Sequence, residues 1–257
     1  MPFFVRAKSS KLQIITKKTV ACNDVEVPLD LENHFYIRNW AVSSYERWGL
    51  NTNADGFRHR HLSNDFKSFD GAWVCLDHVA ESSEDSVGSV LHPVYTNEQY
   101  VENILAVNRT LVEKKGYPFL EKDILEGRIT DTSMGAVSRA TECTICRNVA
   151  RNEKEYCEHL RKDALGNSMK GRTVVVAGKP RVVGELYVDS IFLEDSILTE
   201  DAGADINAKI FNIAASRNKG VACGDALYFA IKAAIKEHGR TRYLSRLLDS
   251  FEQKIDV

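Results

Sequence analysis

Along the first half of the chain, apolar residues come in short runs of strand length rather than at helical spacing. "LQIITKKTVA" and "HFYIRNWAVSS" are rich in β-branched and aromatic residues, as strands are. "GLNTNADGF" concentrates Asn, Asp and Gly and reads as a loop. "GAWVCLDHV" is a compact apolar run with His78 near its end, and "SVGSVLHPVY" and "YVENILAV" follow as two further strands.

The pattern then turns helical. "RTLVEKKG" is one short helix. "PFLEKDILEG" has apolar residues at Phe119, Leu120, Ile124 and Leu125, with Pro118 at its start and Gly127 at its end, a spacing that fits a helix of two to three turns. "RITDTSMGAVS" becomes extended again and puts Ser133 on or beside a strand. Residues 141–171 are polar and charged and read as an insertion, after which "RTVVVAG" and "RVVGELYVDSIFLEDSIL" restore strand character. From about Asp205 the chain reads as helical through "DINAKIFNIAASR", "DALYFAIKAAIKEHG" and "RYLSRLLDSFEQKI". Leu227, Phe229, Ile231, Ala234 and Ile235 make the middle segment apolar enough to pack against the body or a partner chain. The expected organisation is α+β: a main domain over 1–205 carrying the insertion, then a helical extension over 206–257.

Composition narrows the classes. At 257 residues the chain is long enough for a substantial core, and 44% hydrophobic with 27% charged residues is ordinary for a globular protein. A net charge of -2 argues against a nucleic-acid-coating or membrane-surface protein. No apolar run approaches the ~18 residues of a membrane span, and "MPFFVRAKSSKLQIITKK" lacks the pattern of a signal peptide, so a cytosolic setting is expected. Six cysteines are too few for a disulfide scaffold. Cys22, Cys75 and Cys223 stand among apolar or small neighbours and read as buried thiols.

The other three cysteines carry a spacing. Cys143-x2-Cys146-x10-Cys157-x-His159 supplies three thiolates and one imidazole, the ligand set of a closed zinc site. Four protein ligands leave no open position, so the expected Zn2+ is structural, with no cofactor for catalysis. The charged residues around it (Arg147, Arg151, Glu153, Lys154, Glu155) offer no core, and a metal would supply the missing cross-link. A zinc-containing nucleic-acid-binding module is the alternative use, which the balanced charge disfavours.

Spacing alone singles out no catalytic serine. A Ser hydroxyl needs an imidazole within hydrogen-bond reach and a third group to orient it. On residue type alone, Ser133 reads as a strand-end serine, His78 as a strand-end histidine and Glu194 as a strand carboxylate.

Several motifs in order raise that reading. "AVSSYERWGLNTNADGF", "FKSFDGAWVCLDH", "ILEGRITDTSMG", "ECTICRNVARNEKEYCEHLR" and "LYVDSIFLEDSILTEDA" together resemble the head maturation (prohead) serine proteases of tailed bacteriophages, whose core is similar to the herpesvirus assemblin fold. The resemblance runs from about Asn33 to Asp205. It implies a mainly antiparallel, β-barrel-like core with surrounding helices. By position it implies His78 as general base, Ser133 as nucleophile and Glu194 as third member, within a Glu-x-Ser pattern whose serine is Ser196. Asp189 and Asp195 are the competing carboxylates; strict strand alternation puts both on the face opposite Glu194. Backbone N–H groups near Met134 and Gly135 are candidate oxyanion donors, with Arg139 as a further helper.

The implied activity is a serine endopeptidase that cuts phage scaffold and capsid proteins after short acidic-ending motifs during prohead maturation, with self-cleavage of the C-terminal tail. The implied location is the host cytoplasm, inside the immature head. A homo-oligomer is expected, with neither membrane nor nucleic acid as partner. A catalytically inactive capsid or assembly protein retaining the protease fold is the competing class.

Overall fold

The structure, a computed structural model, describes residues 19–22, 25–28, 30–200 and 203–216. In chain order its strands and helices begin with a small hairpin, β1 (Thr19–Cys22) and β2 (Val25–Pro28). The main body follows with β3 (His34–Ser43), α1 (Tyr45–Trp48), β4 (Asp55–Phe57), α2 (His59–Asp65), β5 (Trp73–Leu76), β6 (Gly88–Tyr95) and β7 (Tyr100–Asn108). Then come α3 (Arg109–Lys114), α4 (Leu120–Leu125) and β8 (Asp131–Cys143). The chain continues through β9 (Val149–Ala150), a hairpin of β10 (Thr173–Val176) and β11 (Lys179–Val182), β12 (Glu185–Leu198) and β13 (Ile210–Ala215).

Among the described residues the short apolar runs form the strands expected of them, with only residues 19–21 of "LQIITKKTVA" described, and long-range pairing decides the rest. Nine strands make one mixed sheet in the order β13-β3-β7-β6-β5-β12-β8-β9, with β4 also on β12. β12 is its axis. β8 runs antiparallel along nearly its whole length, while β4 and β5 pair parallel with its two ends on the other side. Between those short partners the open ladder positions are closed by side chains: Ser190 N–H donates to Asp65 Oδ2 (2.8 Å) and Phe192 N–H to Ser68 Oγ (2.9 Å). Unpaired backbone groups are costly when buried, so the α2 region substitutes for a missing strand. The core packs Phe35, Ile37, Leu62, Phe69, Val74 and Phe192, with the Phe69 and Phe192 rings stacked 4.1 Å apart.

Five expectations need correction. The sheet does not close into a barrel. Its path turns back so that the approach to β13 meets the start of β8, yet only an isolated bridge, Asp131 to Lys209, joins them. The segment "DINAKIFNIAASR" is not a helix: residues Ile210–Ala215 are a strand pairing with β3. An open sheet edge offered ladder partners to an Ile-Phe-Asn-Ile run that helix propensity alone favours only weakly. The expected boundary after residue 205 therefore cuts through the sheet, and the two later segments expected to be helical lie outside the described residues. The Asn-rich loop contains β4, held by its parallel pairing to β12. The polar insertion does have a small core: Cys143, Leu160 and Val183 are buried, with Ile145, Tyr156 and Met169 against them. Among the described residues no helix is long and apolar enough to cross a membrane.

Candidate active site and metal centre

Directly paired residues of an antiparallel ladder share a face. Ser133 pairs with Ser196 and Gly135 with Glu194, so these four belong to one face of the β8–β12 pair. Asp195 pairs with Met134 on the other face. A register shift between Phe192 and Glu194 inserts one extra residue into β12 and inverts its alternation. Strict alternation had grouped Asp189 with Asp195 against Glu194; the bulge undoes that grouping. Asp189 is exposed and sits 3.2 Å from His61 Nδ1, away from His78.

His78 arrives from the other side of β12. β5 lies parallel to it, with Cys75 beside Ser196 and Leu76 beside Ile197. The chain then turns back through two left-handed residues, Asp77 (φ 50°) and His78 (φ 61°). This brings His78 Nδ1 to 2.8 Å from Glu194 Oε1. Glu194 is buried and the imidazole is half exposed. The hydrogen bond that His78 donates to Glu194 raises the His78 pKa above its ordinary value; partial burial opposes this, and the charges of Glu194, Asp77 and Asp195 reinforce it. With Nδ1–H donated to Glu194, Nε2 is the basic atom left to act.

Ser133 and His78 line the same cleft, of about 600 Å³, although no hydrogen bond joins them. The cleft also carries Asp55, Asp77 and Asp205, and no Lys or Arg among the described residues lines it. Asp55 is held by Lys170 Nζ at 2.6 Å. Arg139 is exposed and lies outside this cleft, further along β8. Thr132 N–H donates away from β12 to Ala208 O (3.2 Å), and alternate residues of a ladder point their N–H groups the same way. Met134 N–H therefore also points away from β12, whereas Gly135 N–H points toward it.

Beneath the site lies a polar network that sequence reading missed. Asp195 is fully buried and accepts from Asn103 Nδ2 (2.7 Å) and Asn39 Nδ2 (3.0 Å), while Asn39 also reaches Thr132 Oγ1 (3.1 Å). Burial pushes the Asp195 carboxyl up to about 7, against the two amide donors. The available signal was an Asn in the middle of each apolar strand run, "FYIRNWAV" and "YVENILAV".

The Cys/His ligands come together as their spacing predicts. The donor atoms of Cys143, Cys146, Cys157 and His159 all lie within 4.8 Å of one another, close enough for one metal ion to bind all four. Cys143 ends β8, and Ile145 N–H approaches its sulfur at 3.4 Å, as amides do around a metal-bound thiolate. Arg147, at φ 65°, turns the Cys143–Cys146 loop back toward β9. Burial alone would raise the Cys146 thiol, but bonds from Asn148 N–H and the other three ligands bring it down to about 7. Arg58 grips the neighbouring Glu142 with two hydrogen bonds of 2.8 and 2.6 Å and ties this end of β8 to the body. The isolated Cys75 is buried, as expected; the side chains of Cys22 and Cys223 lie outside the described residues.

No protein-family model and no curated protein sequence matches this chain.

Proposed function

We propose that this protein is a serine endopeptidase with Ser133 as nucleophile, His78 as general base and Glu194 as the group that orients the imidazole. One observation carries the reading: a buried carboxylate holds His78 Nδ1 at 2.8 Å above a cleft that Ser133 also lines. His78 Nε2 removes the Ser133 proton as Oγ bonds to the scissile carbonyl carbon. Glu194 stabilises the imidazolium, and Met134 N–H, which points away from β12, is the proposed backbone donor to the oxyanion. His78 then protonates the amine as the C–N bond breaks, and water hydrolyses the acyl-enzyme by the same route.

The motif resemblance adds the substrate class. Phage scaffold and capsid proteins in an immature head are the proposed substrates, and the open sheet is proposed as a variant of the assemblin-like core. The four-ligand cluster is proposed to hold structural Zn2+, which would fix the insertion in shape and leave the chemistry to Ser133.

The test is labelling by a fluorophosphonate, followed by peptide mapping, together with cleavage of a scaffold protein. Modification of Ser133, and loss of both labelling and cleavage in a folded Ser133→Ala variant, are expected. Undiminished cleavage by that variant would show that Ser133 is not the nucleophile. Absence of both activities from the intact protein would favour the inactive assembly protein.

A further inference from the structure

Ser196 is fully buried, and its hydroxyl stands between the two groups that set the position of the imidazole. A hydroxyl has one proton to give and lone pairs to receive. Here the proton goes to Glu194 Oε2, and the oxygen accepts from the His78 backbone N–H at 3.2 Å. The other oxygen of the same carboxylate holds His78 Nδ1 at 2.8 Å. The result is a closed circuit from the His78 backbone through Ser196 and Glu194 to the His78 ring.

The backbone needs this support. Asp77 and His78 are consecutive non-glycine residues in the left-handed region, at φ 50° and 61°, where a side chain crowds its own backbone and the conformation persists only if its surroundings hold it. Other contacts hold Asp77: its N–H donates to Ile197 O (3.1 Å), and its carboxylate accepts from Thr199 N–H (2.7 Å) and Thr199 Oγ1 (2.6 Å). Val79 N–H closes the turn onto Leu76 O (3.0 Å). Ser196 differs from these in bridging the strained backbone of His78 and the carboxylate behind its ring.

We propose that Ser196 is a positioning residue, which fixes the Glu194 carboxylate and the His78 backbone relative to each other so that Nδ1 stays bonded and Nε2 stays aimed at the cleft. Its part in catalysis rests on the peptidase reading above. Two effects of losing the hydroxyl have opposite signs, which makes the role separable. A purely electronic role would leave Glu194 with one donor fewer, make its carboxylate more basic and raise the His78 titration midpoint. A positioning role leaves the bond to Glu194 made for less of the time and lowers that midpoint toward ordinary histidine.

The experiment compares the intact protein with Ser196→Ala by NMR titration of the His78 ring and by the rate of fluorophosphonate reaction at Ser133. In Ser196→Ala the midpoint is expected to fall and labelling to slow about tenfold or more, within the range attributable to general-base catalysis. Ser196→Thr, which keeps the hydroxyl, restores the midpoint even where its extra methyl group lowers stability. If Ser196→Ala does not fold, Ser196→Cys, with a weaker donor of similar size, gives the same reading. An unchanged or raised midpoint in a folded variant whose parent is labelled at Ser133 overturns the role of Ser196 alone. A parent that is not labelled overturns the peptidase reading, and the catalytic role of Ser196 with it.

Discussion

Gly135 and Glu194 face each other across the β8–β12 ladder, and a methyl group on Gly135 would stand 3.0 Å from Glu194 Cγ and 3.1 Å from its carboxyl carbon. The glycine makes room for the carboxylate that holds His78. Gly135→Ala is therefore expected to displace Glu194, at a cost of about 1–3 kcal/mol in stability for the overpacking. The rate of fluorophosphonate labelling at Ser133 should fall with it. A stopped-flow labelling rate and a denaturant melt check both effects; full activity in a folded Gly135→Ala protein would mean that Glu194 does not need this position.

Activity should depend on pH through His78. The base works when neutral, and Glu194 raises its pKa, so activity is expected to rise with pH through a midpoint above that of ordinary histidine. Glu194→Gln removes the charge and shifts the rising limb to lower pH while reducing the plateau. The check is a pH profile of Ser133 labelling for both proteins.

Asp195 predicts an unusual stability profile. Its folded pKa, about 7, lies above the ordinary carboxylate value of 3.8, so the folded state holds a proton that the unfolded chain has lost. The associated stability is fully present below about 4 and is lost as pH rises through about 7, up to roughly 4 kcal/mol for a shift of this size. Asp195→Asn should flatten that part of the curve. It is expected to fold, because the buried oxygens Asn39 Oδ1 and Asn103 Oδ1 lack donors and can accept from a new amide after rotation. Urea melts of both proteins between pH 4 and 8 decide it; parallel curves would count against the buried proton.

Metal content should follow the four ligands. Protein purified without chelator is expected to carry about one equivalent of zinc, the stoichiometry of a closed four-ligand site. Cys157→Ser should lower this below half an equivalent and speed proteolytic nicking within residues 151–166, because the small insertion core then loses its cross-link. Mass spectrometry of the native protein and timed digestion provide the measurements.

The charge of the cleft bears on substrate choice. The motif resemblance implies cutting after acidic residues, yet the cleft presents Asp77 and Asp205 with no Lys or Arg among its described lining. An acidic side chain entering it would meet like charge. Peptides with a neutral residue before the scissile bond are expected to be cut about tenfold faster than their acidic counterparts, a ratio equal to about 1.4 kcal/mol. Competition between paired peptides, read by mass spectrometry, measures the ratio directly.

Features that depend on neighbours along the chain were legible in the residues alone. Short runs of β-branched, aromatic and apolar residues placed β3, β5, β6 and β7, the extended stretch around Ser133 placed β8, and Pro118 and Gly127 bracketed α4. The spacing of Cys143, Cys146, Cys157 and His159 was sufficient because a tight turn and a return segment are short-range geometry. Features that depend on pairing between distant segments became visible only in the folded chain. Residues 210–215 became a strand because β3 offered an open edge. Asp189 and Asp195 parted because a single bulged residue before Glu194 inverts every later side chain of β12, an event with no local signature in "VDSIFLEDSIL". His78 and Glu194 met because β5 pairs with β12 across more than a hundred intervening residues, and no periodicity encodes such a partner.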